Sequence, residues 1–396
     1  MADRSVPQAR AQEALGRIVG WLIDGAPSAG RPEEVLATLC ERLAACGVPL
    51  HRVAVFVRTL HPNVMGQRFL WRPGQEAEVT EQPHEYLETD GYLASAIALV
   101  HGGQGPIRRR LADPECPSDF GIIEELRAEG VTDYLVQPLA FSNGEIHAVS
   151  WTTIRPGGFS EDDIGALEAI VRPLARVAET HALRRVARTL LDTYVGHGAG
   201  ERILHGRIQR GDIERIQAVI LSADLRGFTS LSDRLSGDRV ITILNHYFDC
   251  LVPAIEAWGG EVLKFMGDGL LAIFPVGDRP AMACEAALAA VAEASIKLTD
   301  ADLEPATKGR LTLRHGSALH MGEVLYGNVG SATRLDFTTI GPAVNLTARL
   351  QGLSRDLGRE VVVSSAVAAC LPDAVTSLGR FELRGFGQPQ EVFAPA

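Results

Sequence analysis

The sequence is short of cysteine, short of aromatic residues, without a long apolar run, and without an excess of positive charge. Its six cysteines (Cys40, Cys46, Cys116, Cys250, Cys284 and Cys370) form no CxxC pair and have no histidines at matching spacing. A zinc site or a disulfide framework is therefore not supported, and buried free thiols in a reducing compartment are expected. The longest apolar run near the start, Ile18 to Ile23, is interrupted by Gly20. It is too short for a signal peptide's apolar region or a membrane span, so a cytoplasmic location is expected. Acidic residues outnumber basic ones 49 to 38, for a net charge of −11. That balance argues against non-specific nucleic-acid binding, which needs clustered Lys and Arg.

What is present suffices for two folded domains. Apolar residues make up 46% of 396 residues and charged residues 22%, a composition that buries real cores at a length too great for one. Leu15, Ile18, Val19 and Leu22 repeat at helical spacing, as do Val35, Leu36, Leu39 and Leu43. Strands are expected at Val53 to Val57, Tyr134 to Val136 and Ile146 to Thr153. Asn143-Gly144 suggests a tight hairpin with positive φ at both positions. The stretch 60–130 is polar, rich in Gly and Pro, and gives no clear assignment. From Glu161 to about Thr193 the pattern is helical again, with Pro173 inside it. Apolar residues left over on that helix suit either a dimeric signalling helix or packing on its own domain. Gly196, Gly198 and Gly200 then break the pattern and lack the Lys of a phosphate-binding loop, so they read as a hinge.

Chemistry concentrates in three later segments. The expected strand Ile216 to Ala223 ends in Asp224-Leu225-Arg226-Gly227-Phe228-Thr229. A carboxylate there can hold a hard cation or cap a helix, and the glycine turn can present N–H groups to phosphate. The strands Glu261 to Phe265 and Leu270 to Phe274 flank Met266-Gly267-Asp268-Gly269. Its Asp-Gly serves either as turn chemistry or as a second cation ligand. Finally, Asn345 and Arg349 stand four apart after Thr338-Thr339-Ile340-Gly341, a spacing that aims an amide and a guanidinium at one point. Alone, that pair also reads as ordinary surface.

Taken together, Ala223 to Thr229, Lys264-Phe265-Met266-Gly267-Asp268-Gly269 and Thr338 through Arg349 resemble the class III adenylate/guanylate cyclase catalytic domain, over about 206–396. The resemblance implies an α+β fold with a ferredoxin-like βαββαβ core, and roles for its residues. Asp224 and Asp268, with the Leu225 carbonyl, would hold two Mg²⁺ or Mn²⁺ ions. Gly227, Phe228 and Thr229 would cradle phosphates through their N–H groups. Asn345 would orient the ribose, Arg349 would neutralise charge on the reacting phosphates, and Arg384 would stand at the terminal phosphate. Lys264 and Thr338 would read the base. A Lys–Thr pair resembles a bacterial subgroup, some members of which respond to bicarbonate; Asp336 lies two residues too early for the base-reading position. ATP is the implied substrate and cyclic AMP the product. Family members build the site between two cyclase domains, so a homodimer follows. Cyclic GMP synthesis and a catalytically silent nucleotide-binding regulator are the alternatives; a diguanylate cyclase would carry a different hairpin.

The stretch Tyr134 to Glu179 resembles the end of a GAF domain, with Gln137-Pro138-Leu139, the Asn143-Gly144 hairpin, and Arg155 to Ser160 leading into a helix. Such a domain implies either a small-molecule sensor or a packing and dimerisation module. The signature of cyclic-nucleotide-binding members is absent, so that ligand is not assigned. The expected organisation is an N-terminal helix over 1–30, a GAF-like α/β sensor domain over 31–180, a helical signalling linker and hinge over 181–205, and the cyclase domain over 206–396.

Overall fold

The computed structural model describes residues 5–59, 64–299 and 313–396, and of residues 5–11 only the backbone. The first four residues of the expected N-terminal helix lie outside the described residues. The chain folds as two compact units, Met1–Thr189 and Leu190–Ala396.

In chain order the first unit contains α1 (Ser5–Ile23), α2 (Pro32–Ala45), β1 (Arg52–Arg58), β2 (Gly66–Trp71), β3 (Glu78–Gln82), α3 (Asp90–Leu93), α4 (Ala96–His101), β4 (Ile107–Arg109), α5 (Ile122–Ala128), β5 (Asp133–Ala140) and β6 (Ile146–Thr153). Helix α6 (Glu161–Val195) follows. The six strands form one antiparallel sheet in the order β3-β2-β1-β6-β5-β4. Alternation along the strands gives the sheet two apolar faces. One packs against α1, α2 and the first half of α6 through Leu22, Leu39, Trp151 and Ile170. The other is covered by α4 and α5 through Val100, Ile123 and Leu126. The described residues of the region 60–130, unassigned from the sequence, thus supply three strands, three short α-helices and a 3-10 turn over His84–Glu88. Their brevity leaves no room for a helical or two-residue period to show.

The hairpin between β5 and β6 differs from the expected form. Only Gly144 takes positive φ (88°), while the Asn143 side chain accepts a hydrogen bond from the Glu145 N–H at 3.0 Å. Phe141 and Glu145 are themselves bonded across the loop. The connection is therefore longer than a two-residue turn, and it needs one left-handed glycine rather than two.

The second unit runs α7 (His197–Leu204), β7 (Ile213–Leu225), α8 (Phe228–Ser232), α9 (Gly237–Ala257), β8 (Glu261–Met266), β9 (Gly269–Pro275), α10 (Pro280–Thr299), β10 (His315–Gly330), β11 (Leu335–Ile340), α12 (Pro342–Asp356), β12 (Val361–Ser364), α13 (Ser365–Ala368), β13 (Val375–Phe381) and β14 (Gln390–Pro395). The sheet order is β13-β14-β12-β10-β7-β9-β8, with β11 paired to β10. Its central part is a βαββαβ core in which β7 lies between β10 and β9. Odd-numbered residues of β7 (Val219, Leu221, Ala223) pack against α9 and α10. Even-numbered Ala218 and Ile220 face the opposite layer, which includes Ala343 of α12.

The expected glycine hinge is not open. The chain breaks only at Gly196 (φ 87°), and α7 then includes Gly198 and Gly200. A Cβ on Gly198 would lie 2.5 Å from the Glu261 carboxylate, and Glu261 accepts bonds from the Ala199 N–H at 3.1 Å and the Tyr326 hydroxyl at 2.7 Å. Close approach, rather than flexibility, explains glycine here. Among the described residues no helix is long and apolar enough to cross a membrane. All six cysteines are free; Cys40, Cys250 and Cys284 are buried, whereas Cys46, Cys116 and Cys370 are only half-buried.

Buried histidines give the fold a pH signature. His315 is 1% exposed, with the Ser317 and Ser295 hydroxyls 2.7 and 2.6 Å from its two nitrogens, and burial pulls it down to about 4. His320, 2.8 Å from the Ser364 hydroxyl, is also pulled to about 4 by burial. In the first unit His101 and His147 behave alike. The unfolded chain takes up protons below its ordinary value of 6.5 that the folded chain refuses. Stability is thus fully present above about pH 6.5 and lost as pH falls toward 4. Thermal unfolding followed from pH 7.5 to 4.5 should show Tm declining from about pH 6.5 downward; a flat profile to pH 5 would contradict neutral buried histidines.

Candidate active site

Two carboxylates meet at one end of the second sheet. Asp224 continues the even-numbered row of β7 that faces the α12 layer. Its partners in register are glycines on both sides, Gly269 on β9 and Gly316 on β10, so no neighbouring side chain covers it from within the sheet. Asp268 sits in the β8–β9 turn, where Gly267 takes φ 67°. The Leu225 N–H donates to the Asp268 carbonyl at 3.3 Å, tying the two carboxylate-bearing segments together. Burial, reinforced by the negative charge of Asp224, raises the Asp268 carboxyl above its ordinary value.

Asp224 is half satisfied. Its Oδ2 accepts from the Arg355 guanidinium at 2.9 Å, while its Oδ1 is buried without a partner. A buried carboxylate oxygen left unpaired is costly. Two such oxygen-donor groups on neighbouring segments suit a hard divalent cation such as Mg²⁺ or Mn²⁺. No group of three or more His, Cys, Asp or Glu side chains gathers for a metal among the described residues. The two aspartates therefore leave coordination positions for backbone oxygen, water or substrate. Beneath them the Tyr247 hydroxyl is buried without a partner, and its phenol is raised well above the ordinary value by burial, with the charges of Asp224 and Asp268 adding.

After Asp224 the chain turns at Gly227 (φ 73°) into α8, which begins at Phe228. Phe228 is half-buried against the core and anchors the turn, and Thr229 is exposed. The first N–H groups of α8 have no partner inside the helix.

On the other side of the hairpin, Lys264 of β8 pairs with Asp336 of β11 at 3.3 Å. Asp336 and Thr338 are two apart on one strand and so share a face. This places Lys264 beside the strand that carries Thr338. Thr338 is 4% exposed, and its hydroxyl has no hydrogen-bond partner.

Helix α12 begins at Pro342 after Gly341 and buries Ala343, Leu346, Thr347, Leu350 and Ser354. At 3.6 residues per turn, Asn345 and Arg349 fall on the opposite side of the helix, and both are exposed. Neither side chain has a hydrogen bond or ion pair among the described residues. Arg355 lies between these faces, which lets it reach Asp224. In a single chain, therefore, Asn345 and Arg349 do not join the two aspartates. Arg384 lies in the turn after β13 beside Gly385 (φ 91°) and is exposed; its neighbour Leu383 packs with Leu346 and Leu350 of α12.

Several contributors are invisible to motif reading. Arg226 bonds the Ser354 hydroxyl and the Arg359 carbonyl, each at 2.8 Å, and its guanidinium lies where a side chain on Gly316 would be. Arg355, Tyr247 and Asp336 also come from segments far from the residues they serve. Only the glycine at 316 carries a local trace of its role, as a residue spared a side chain.

Residues 212–394 match the adenylate and guanylate cyclase catalytic domain family. An adenylate cyclase of Anabaena cylindrica is 32% identical over 161 residues, 40% of this chain and 32% of that protein. Adenylate cyclase 1 of Rhizobium meliloti (strain 1021) is 30% identical over 185 residues, 45% of this chain and 27% of that protein. This chain thus spans about a third or less of the length of these curated relatives. The crystal structure of the guanylyl cyclase Cya2 is 30% identical, with a TM-score of 0.41, over 46% of this chain and 93% of that one. Residues 212–394, just under half of the chain, are thus similar to an adenylate and guanylate cyclase catalytic domain.

Proposed function

We propose that this protein is an adenylate cyclase, converting ATP to 3′,5′-cyclic AMP and pyrophosphate at sites shared by two copies of the chain. The observation that carries this reading is the division of the site. Asp224 and Asp268 are tied together on one surface, while Asn345 and Arg349 face solvent on the far side of α12. A two-fold pair of chains brings one set against the other twice, giving two equivalent sites.

Asp224 and Asp268, assisted by the Leu225 carbonyl, would hold two Mg²⁺ or Mn²⁺ ions. When bound, such ions supply Lewis-acid activation of the ribose 3′-hydroxyl and charge neutralisation of the triphosphate. The other contributions belong to the protein. N–H groups of Gly227, Phe228 and Thr229 bind phosphate oxygens. Asn345 of the second copy orients the ribose so that the 3′-oxygen faces the α-phosphorus. As the new bond forms and the bond from that phosphorus to the bridging oxygen of the leaving pyrophosphate breaks, Arg349 neutralises the growing charge. Arg384 suits the terminal phosphate.

Lys264 and Thr338 read the base. A lysine ammonium donates to adenine N1, and a threonine hydroxyl accepts from the 6-amino group. The same hydroxyl can donate to a carbonyl, so selection against GTP rests mainly on Lys264. Cyclic product from ATP should exceed that from GTP in the purified chain, and Lys264→Ala should reduce the ATP-to-GTP ratio of kcat/KM by about tenfold, the worth of one specific hydrogen bond to a charged group. Preference for GTP in the wild type would overturn the adenylate assignment.

The first unit is read as a GAF-like sensor domain that regulates the cyclase. Its sheet, flanked by helices on both faces, supports that reading, as do the exposed Leu183, Leu190 and Tyr194 late in α6, which suit a dimeric signalling helix. A small-molecule ligand of that domain and bicarbonate at the cyclase are candidate effectors; activity unchanged by added bicarbonate at constant pH would remove the latter.

A further inference from the structure

We propose that Arg355 is a resident counter-cation of the carboxylate site, one that neutralises Asp224 in the nucleotide-free chain and must swing away before a divalent ion is held there. This rests on the reading of Asp224 and Asp268 as metal ligands, and adds a device that controls access to them.

Geometry distinguishes Arg355 from the other nearby cation. Arg226, two residues after Asp224, is committed elsewhere: it bonds the Ser354 hydroxyl and the Arg359 carbonyl and lies over Gly316. Among the described residues Arg355 has one anchor, the 2.9 Å contact to Asp224 Oδ2. Its side chain is 67% exposed against 17% for Asp224. The anion is thus fixed in the fold while the cation hangs from the surface of α12, free to rotate into water at little cost. The contact is also incomplete. One guanidinium nitrogen meets one carboxylate oxygen, and Asp224 Oδ1 stays buried and unpaired. A two-oxygen Arg–carboxylate fork would be harder to displace. A divalent ion carries twice the charge of the guanidinium and can serve oxygens of both aspartates, so it wins the exchange where a monovalent ion does not. Arg355 therefore sets a threshold for divalent loading and lessens the cost of holding two carboxylates close together without metal.

The test is Mn²⁺ binding to the nucleotide-free full-length protein, read from the electron paramagnetic resonance signal of free Mn²⁺. Arg355→Gln should tighten binding about fivefold, the worth of one exposed ion pair. Arg355→Lys, which keeps the charge, should stay near wild type, and the double variant Arg355→Gln/Asp224→Asn should lose the gain. Binding that is measurable only in Arg355→Gln supports the proposal equally. Unchanged or weaker binding in Arg355→Gln overturns it. If Asp268→Ala still weakens binding in that case, the metal assignment survives without the counter-cation. If Asp268→Ala has no effect either, both fall. A gain that persists in the double variant also overturns the proposal, because the released site would then not be Asp224. Thermal unfolding of each variant checks that the fold is retained.

Discussion

Asp268→Ala is expected to lower cyclic nucleotide production by about 10³-fold or more while leaving the protein at least as stable as before. A metal-assisted phosphoryl step draws several kcal/mol from charge stabilisation at the metal ligands, and each 1.36 kcal/mol is about tenfold in rate. The stability side follows from the same geometry. Burial and the neighbouring charge of Asp224 both disfavour the ionised Asp268 carboxyl. Removing it relieves the burial and repulsion, which together outweigh the backbone hydrogen bond and the Arg355 charge that favour the ionised form. Opposite signs of this kind, activity lost and Tm kept or raised, mark a residue retained for chemistry at the expense of stability. Initial rates with ATP and Mn²⁺, alongside thermal unfolding, check both halves. Full activity would remove Asp268 from the site, and a Tm lowered by several degrees would make it a structural turn residue.

Arg349→Ala is expected to reduce kcat by about 10²–10³-fold, the usual consequence of removing one donor that acts in the transition state. KM should change much less, since the charge it answers grows only as the bond to pyrophosphate breaks. Arg349 is exposed on α12 and has no hydrogen bond or ion pair among the described residues, so the substitution should shift Tm little. Arg349→Lys should recover only part of the loss, because a point charge does not reproduce a planar fork of donors. A rise in KM at unchanged kcat would instead make Arg349 a ground-state binding residue.

These two residues were legible in the sequence because their signal is local. A strand ending in Asp224, a glycine-flanked Asp268 and an amide four residues before a guanidinium each announce themselves within a few positions. The strands expected at Ile216 to Ala223, Glu261 to Phe265 and Leu270 to Phe274 appear as β7, β8 and β9, slightly longer at their ends. What stayed hidden depends on tertiary placement. Arg355 meets Asp224 across 131 positions, and Lys264 meets Asp336 across 72; no periodicity encodes such a pairing. Asp336 lies two residues too early for base recognition in the sequence, yet it is the residue that pairs with Lys264. Gly198 and Gly200 misled in the opposite direction. Glycine permits both flexibility and close approach, and only packing decides between them: Gly198 lies against Glu261, and Gly200 against Asp192 and Leu191 late in α6. The short helices between β3 and β5 were illegible because none is long enough to repeat an apolar stripe.

The account as a whole turns on two chains sharing one catalytic site, and mixing complementary variants tests it most directly. Equal amounts of Asp268→Ala and Arg349→Ala chains, each nearly inactive alone, should exchange subunits. About half the dimers would then be mixed, each with one intact site and one doubly damaged site. Cyclic AMP production from ATP should therefore recover to about a quarter of the wild-type rate. No recovery, with subunit exchange demonstrated independently by labelled chains, would contradict the shared site and with it the roles assigned to Asp268 and Arg349.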